Sequence, residues 1–321
     1  MNLIICSNLY ISQGKKDAMN LKVKDENSIL NIYLNNAILL GKTLRKLNVD
    51  FVLFTNNKNI INEMIIEKGS LYVKENKYHF QFPEDINFYS AHYKLEAYKF
   101  LSHFEPNAIV GLFDLDMIVL RDFRIKVEEI IKKGETIIYD ISDQVVPAYG
   151  INTILKELKK LDENIELPLW FGGEFIISTP HFFSMLYEEI KPLIKIYKEC
   201  YKEIVNQGDE IITSVAIYRL MKKGYKFADA GRMGLIGRYW SVPAKHSQNP
   251  VKYYFGLPII HLPADKEMLA NYSDVKDFDP IKFEKYYRKY LVKRLPLYFL
   301  KWIKLKIYNN FLARISICKI N

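Results

Sequence analysis

Apolar residues recur along this chain in two rhythms. Short unbroken runs alternate with longer stretches in which they return every three or four positions. The first kind reads as buried strand and the second as amphipathic helix. Strands are predicted at Leu3–Cys6, Phe51–Phe54, Ser70–Val73, Ile109–Leu120, Thr136–Tyr139, Phe175–Ser178 and Leu257–Ile260. Helices are predicted at Asn27–Leu47, Ile60–Lys68, Ala91–His103, Val127–Lys133, Phe182–Val205 and Glu210–Lys223. Gly69 and Gly134 suit two of the helix ends. Ser7 to Asp25 reads as a polar loop, and the stretch between Lys223 and Leu262 as short irregular strands. Strands alternating with helices imply an α/β fold whose largely parallel sheet is flanked by helices. Such sheets bind ligands beyond the carboxyl ends of their strands, and Asp114 and Asp116 follow the apolar run Ile109–Phe113, where that rule expects a site.

One apolar run is broken by charge. Asp114 and Asp116 interrupt Ile109–Leu120. Burying an unpaired carboxylate is expensive, so two in one buried run imply a compensating cation. In extended backbone, positions i and i+2 face the same way, so both carboxylates are expected to reach one site. Mg2+ and Mn2+ take carboxylate oxygens and complete their shells with water and substrate phosphates. The simplest reading is a metal site that holds a nucleotide diphosphate. The alternative is a pair of aspartates that only cap a turn, and the apolar flanks favour the metal.

Composition narrows the class. The 321 residues allow one large α/β domain or two smaller ones. Hydrophobic content of 49% with 14% aromatics excludes a disordered chain. Cys6, Cys200 and Cys318 form neither a zinc spacing nor a disulfide framework, which points to a reducing cytoplasm. The first residues lack the basic region and long apolar run of a signal peptide. No uninterrupted apolar stretch reaches the roughly 18 residues of a transmembrane helix. The net charge of +9 is unevenly placed: residues 282–321 hold eight lysines, three arginines and one glutamate, and the rest is near neutral. A neutral body with a cationic tail argues against a nucleic-acid binder, whose body would be basic as well.

Three further constellations carry chemistry. In Trp170–Phe175, Gly172 and Gly173 lie between aromatics ahead of a strand. Glycines let backbone approach a ligand, and the aromatics offer a surface to a sugar ring; a tight turn packed by core aromatics is the alternative. Asn206–Glu210 opens a helix, with Gly208 or Asp209 near its N-cap and Glu210 beside it. His261 follows a strand, and Lys266 lies five residues on. An imidazole is a common metal ligand, and a lysine near it meets phosphate.

Taken in order, these pieces resemble the GT-A-fold, nucleotide-sugar-dependent glycosyltransferases, and the retaining family 8 and family 6 types come nearest. The resemblance spans about residues 1–270. It implies a GT-A (Rossmann-like) α/β domain over residues 1–275. Asp114 and Asp116 match the Asp-x-Asp motif that holds Mn2+ (or Mg2+) against the donor diphosphate, His261 the late metal-binding histidine, and Lys266 the basic residue on the diphosphate. Lys94 falls where a basic residue contacts the donor. Asn8 and Tyr10 would meet the uridine. Phe171 to Glu174, with Gly172 and Gly173, fall in the acceptor and donor-sugar segment. Asp209-Glu210 is similar to the family 6 Asp-Glu pair, whose glutamate flanks the reacting carbon; it departs from the family 8 Asp-Gln-Asp. The implied activity is transfer of a hexose from a UDP-sugar to a lipopolysaccharide, capsule or other surface-glycan acceptor, with retention. The alternatives are an inverting enzyme with Asp209 or Glu174 as base, or a sugar nucleotidyltransferase.

Residues 276–321 read as a basic aromatic helical tail. Lysines mixed with Trp, Phe and Leu suit an anionic membrane surface, each adding about 1 kcal/mol near it. The expectation is a cytoplasmic protein held at the inner face of the membrane, where a lipid-linked acceptor lies. The alternative is a helix packed on the domain with solvated lysines.

Overall fold

The computed structural model describes residues 2–12, 25–65 and 71–294. In chain order the elements are β1 (Leu3–Leu9), α1 (Glu26–Arg45), β2 (Asp50–Thr55), α2 (Lys58–Met64), β3 (Tyr72–Glu75), α3 (Lys94–Leu101), β4 (Ile109–Phe113), β5 (Met117–Val119), α4 (Arg124–Lys132), β6 (Glu135–Asp140), α5 (Ser142–Tyr149) and α6 (Ile151–Leu161). There follow β7 (Phe171–Ser178), α7 (Pro180–Cys200), α8 (Asp209–Lys222), β8 (Lys226–Asp229), β9 (Ile236–Arg238), α9 (Val251–Tyr254), β10 (Ile259–His261) and α10 (Lys266–Tyr272). A last helix, α11, runs through residues 280–294.

Seven strands form the central sheet in the order β3-β2-β1-β4-β7-β6-β8. Only β7 runs antiparallel to its neighbours, so the sheet is mostly parallel, as the alternation of elements predicts. Every residue of β4 is buried, and the Phe113 ring stacks on Phe175 of β7 with centroids 4.9 Å apart. Helix α1 starts at Asp25, whose Oδ1 accepts from Ser28 N at 2.9 Å. It buries Leu34, Ala37, Leu40 and Leu44 at helical spacing, and each such leucine contributes roughly 1.5–3 kcal/mol. Helix α8 is wedged against β7 and α7, with Ile211, Ile212, Val215 and Ala216 all buried. That wedge fixes its first turn, Asp209 and Glu210, beside β7.

Several sequence-based expectations change. Ser7, Asn8 and Leu9 belong to β1, because its ladder with β2 continues through Leu9 opposite Thr55. Residues 91–103 are split between a 3-10 helix, Tyr89–Tyr93, and α3. The stretch after β6, unassigned from sequence, holds α5 and α6; α6 buries Ile154, Leu158 and Leu161. The helix end at Gly69 and residues 295–321 of the basic tail lie outside the described residues. The earlier part of that segment packs on the body, with Phe283 and Tyr287 buried in α11. Among the described residues, no helix is long and apolar enough to cross a membrane.

The largest correction concerns Ile109–Leu120, which is not one strand. β4 stops at Phe113, a turn carries Asp114 to Asp116, and β5 joins a second sheet in the order β5-β10-β9. The same-face argument from extended backbone therefore does not apply. The backbone divides because two partners pull on it. Asp114 N donates to Glu174 O at 3.0 Å, at the end of the β4–β7 ladder, while Asp116 O accepts from Leu262 N at 3.0 Å, next to β10.

Candidate active site

Both sheets end at one place. In the small sheet, His261 lies opposite Met117, next to Asp116, and also opposite Arg238. From the central sheet, β7 brings Glu174 beside Asp114. Asp114, Asp116 and His261 each offer a ligand atom, and these atoms lie within 4.8 Å of one another. The Asp-x-Asp pair and the late histidine, which comes 145 residues after Asp116, are thus brought together.

Each carboxylate there has a cation. Lys266 Nζ is 2.6 Å from Asp116 Oδ2, and His261 Nε2 is 3.1 Å from Asp116 Oδ1. Burial alone would raise the Asp116 carboxyl, but Lys266 and His261 outweigh it and hold it well below the usual range. Lys94 Nζ lies between Asp114 Oδ1 at 2.7 Å and Asp209 Oδ2 at 3.1 Å. Burial would lower that ammonium, yet the two aspartates keep it well above its ordinary value. Asp209 is pushed up to about 6 by burial, against the pull of Lys94.

His261 is held on both ring nitrogens, with Nδ1 3.3 Å from Glu174 Oε1. Burial depresses the imidazole, but Asp116 and Glu174 more than offset it and raise it to about 9. Glu174 is 1% exposed and meets Arg238 at 2.6 Å. Burial would raise its carboxyl, and Arg238 and His261 bring it below the usual range. Arg238 also reaches Glu210 Oε1 at 2.7 Å, and Trp170 Nε1 donates to Glu210 Oε2 at 2.9 Å. An unbroken chain of charged contacts therefore runs from Lys266 through Asp116, His261, Glu174 and Arg238 to Glu210.

Gly172 and Gly173 lie inside β7, not in a turn ahead of it. A Cβ on Gly172 would sit well under 3.0 Å from Glu174 Oε2, and one on Gly173 equally close to Asp209 Oδ2. The two glycines make room for carboxylates. Gly173→Ala is expected to push Asp209 off Lys94 and to cost about 1–3 kcal/mol in urea unfolding. Unchanged stability would mean that Asp209 has space to spare.

Asn8 and Tyr10 lie at the end of β1. Asn8 Oδ1 accepts from Tyr78 OH at 2.5 Å, and Tyr10 stacks on Tyr93 with centroids 3.6 Å apart. The residue that sequence reasoning missed is Arg238. Its signal is a charge between the apolar residues Leu235-Ile236-Gly237 and Tyr239-Trp240, the same signal that singles out the aspartates.

No protein-family model and no curated protein matches the sequence. Among solved structures, the chain is similar to the WbbM bifunctional glycosyltransferase, at 9% identity and a TM-score of 0.48 over 81% of this chain and 45% of that one. It spans less than half the length of that protein. It is similar to mouse xyloside xylosyltransferase 1 at 10% identity and a TM-score of 0.47, over 83% of this chain and 99% of that one. It is also similar to the galactosyltransferase LgtC, solved with donor and acceptor sugar analogs, at 11% identity and a TM-score of 0.47 over 84% of this chain and 96% of that one.

Proposed function

We propose that this chain is a metal-dependent glycosyltransferase, moving a hexose from a UDP-sugar to a surface-glycan acceptor with retention. The observation that carries the reading is the meeting of Asp114, Asp116 and His261 within 4.8 Å, flanked by Lys94 and Lys266. Two carboxylates and an imidazole are a donor set suited to Mn2+ or Mg2+. His261 would ligate through Nε2, with its Nδ1–H donated to Glu174 to fix the ring. Glu174 is thus assigned to orienting His261, a use that fits its burial better than a role as base.

Asp114, Asp116 and His261 would hold a divalent cation, which would supply charge stabilisation to a departing diphosphate. The chain's own groups do the rest. Lys266 and Lys94 are the cations that would turn to the phosphates and take part of the developing charge. Glu210, whose side chain is 30% exposed, has its carboxylate aimed by Arg238 and Trp170. We assign it to the reacting anomeric carbon, where a carboxylate stabilises oxocarbenium character or adds as nucleophile. Gly172 and Gly173 leave room for the Glu174 and Asp209 carboxylates within the site, and Asn8 and Tyr10 are assigned to the uracil. The basic aromatic residues 295–321 suit an anionic bilayer that presents a lipid-linked acceptor.

One observation favours inversion instead. Asp209, pushed up to about 6 by burial, has the basicity to take the proton of an acceptor hydroxyl. The anomeric configuration of the product, read by NMR, decides between the two.

Calorimetric titration with UDP, with and without Mn2+, tests the central reading. Mn2+-dependent binding that disappears in Asp114→Asn supports it; no binding of UDP in either condition overturns it. Since His261 rests protonated up to about pH 9, ligation must release its proton. Mn2+ affinity is therefore expected to rise about tenfold per pH unit between roughly pH 6.5 and 8.5. A flat profile would remove His261 from the ligand set. With EDTA present, the sign reverses for stability. The His261 contribution is complete below the unfolded value of 6.5 and fades as pH rises through about 9.

A further inference from the structure

We propose that helix α11 sets the position of Lys266 through Asp265, which makes Tyr287, Tyr290 and Arg294 positioning residues of the donor site. The proposal rests on the reading of Lys266 as a diphosphate contact.

Asp265 is 1% exposed. A carboxylate so buried must be satisfied, and its partners come from far along the chain. Tyr287 OH donates to Oδ2 at 2.6 Å. Oδ1 accepts from Tyr290 OH at 3.0 Å, Arg294 Nη1 at 2.6 Å and Ser241 Oγ at 2.5 Å. Positions 287, 290 and 294 are spaced three and four apart, so they share one face of α11. Phe283 extends that face into the core, against Phe255 and Tyr272. At the other end, Asp279 Oδ1 accepts from Ile281 N at 2.8 Å and caps the helix.

Asp265 is joined to Lys266 by one peptide bond. The segment between them and the metal ligands is short and tied down at several points. Asp265 N donates to Leu262 O, and Leu262 N donates to Asp116 O, both at 3.0 Å. Lys266 Nζ then reaches back to Pro263 O at 2.9 Å and to Asp116 Oδ2 at 2.6 Å. A shift of Asp265 therefore carries the lysine with it.

Stability alone is a weak reason for this arrangement. Well-packed apolar side chains in place of a buried ion pair are often as stabilising or more so. What a carboxylate held by an arginine and three hydroxyls adds is direction, since charge-assisted hydrogen bonds fix geometry.

The test compares the full chain with the Tyr287→Phe/Arg294→Met double variant, which keeps the ring and most of the arginine stem. The first readout is acylation of lysine amines, followed by mass spectrometry. Lys266 is expected to label about tenfold faster in the variant, with Lys94 unchanged, as for loss of a group's outer supports. The second is titration with UDP and with uridine in the presence of Mn2+. The Kd for UDP is expected to rise about tenfold and that for uridine to stay, and the rise should vanish in a Lys266→Met background. Unchanged Lys266 labelling, or labelling of Lys94 that rises as much, would overturn the proposal. So would a UDP effect that persists without Lys266. If Lys266 labelling responds as stated but the unaltered chain binds no UDP, the positioning stands and the glycosyltransferase reading falls. Should the double variant not fold, Tyr290→Phe removes one donor alone, and a smaller rise confined to Lys266 is expected.

Discussion

Asp116→Asn is expected to lower donor-sugar turnover about a thousandfold or more. A metal ligand supplies several kcal/mol of charge stabilisation, and about 1.4 kcal/mol is a factor of ten. The change is isosteric, so packing is kept while a full charge is lost. That charge also has a structural role. Lys266 and His261 both lean on Asp116 in a buried setting. Removing one member of a buried pair leaves the other uncompensated, at a cost of about 3–5 kcal/mol. Asp116→Asn should therefore unfold at lower urea as well as lose activity. Asp114→Asn separates the two effects. Its side chain is 26% exposed, and Lys94 keeps Asp209 as a partner after the change. It should lose Mn2+-dependent UDP binding with a much smaller change in stability. Full activity in both variants would defeat the metal assignment.

Arg238→Met is expected to destabilise the fold by about 3–5 kcal/mol, the range for breaking a buried ion pair. The guanidinium is 9% exposed and bridges Glu174 and Glu210. Methionine fills similar volume, so the loss is electrostatic more than steric. Glu174 would keep His261, while Glu210 would keep only Trp170. Glu210 would then lose its alignment, and kcat should fall more than KM rises, because the proposed diphosphate contacts, Lys94 and Lys266, make no ion pair with Arg238. Arg238→Lys restores the charge without the planar fork that serves two carboxylates at once, so partial recovery of stability is expected. If Arg238→Met unfolds at the same urea concentration as the unaltered chain, the buried bridge is not a structural element.

Much of this site is legible in the sequence, and the parts that are not share one cause. Asp114 and Asp116 declare themselves because charge inside an apolar run needs a partner. Gly172 and Gly173 declare a place where side chains are excluded, though not what fills the room, which is Glu174 and Asp209. His261 and Lys266 stand out by type and by position after a strand. The mostly parallel sheet follows from the alternation of short apolar runs and helical stretches. All of these are local properties, set by desolvation cost and by the period of each backbone form.

The partners are decided only by the tertiary structure. Whether Lys94 serves Asp114, Asp209 or both depends on where the first turn of α8 lands against β7. The turn at Asp114–Asp116 exists because β5 leaves the central sheet for β10, a choice made by a segment about 140 residues later in the chain. Arg238 joins the site through the register of β9 on β10, which sets it beside His261; a one-residue slip would turn its side chain to the other face. Asp265 finds its donors on α11, beyond the end of the domain that charge and motif order suggest. A residue's need for a partner is written locally, in its charge and its apolar neighbours. Which residue answers depends on strand register and helix packing between distant segments, and those emerge only when the chain has folded.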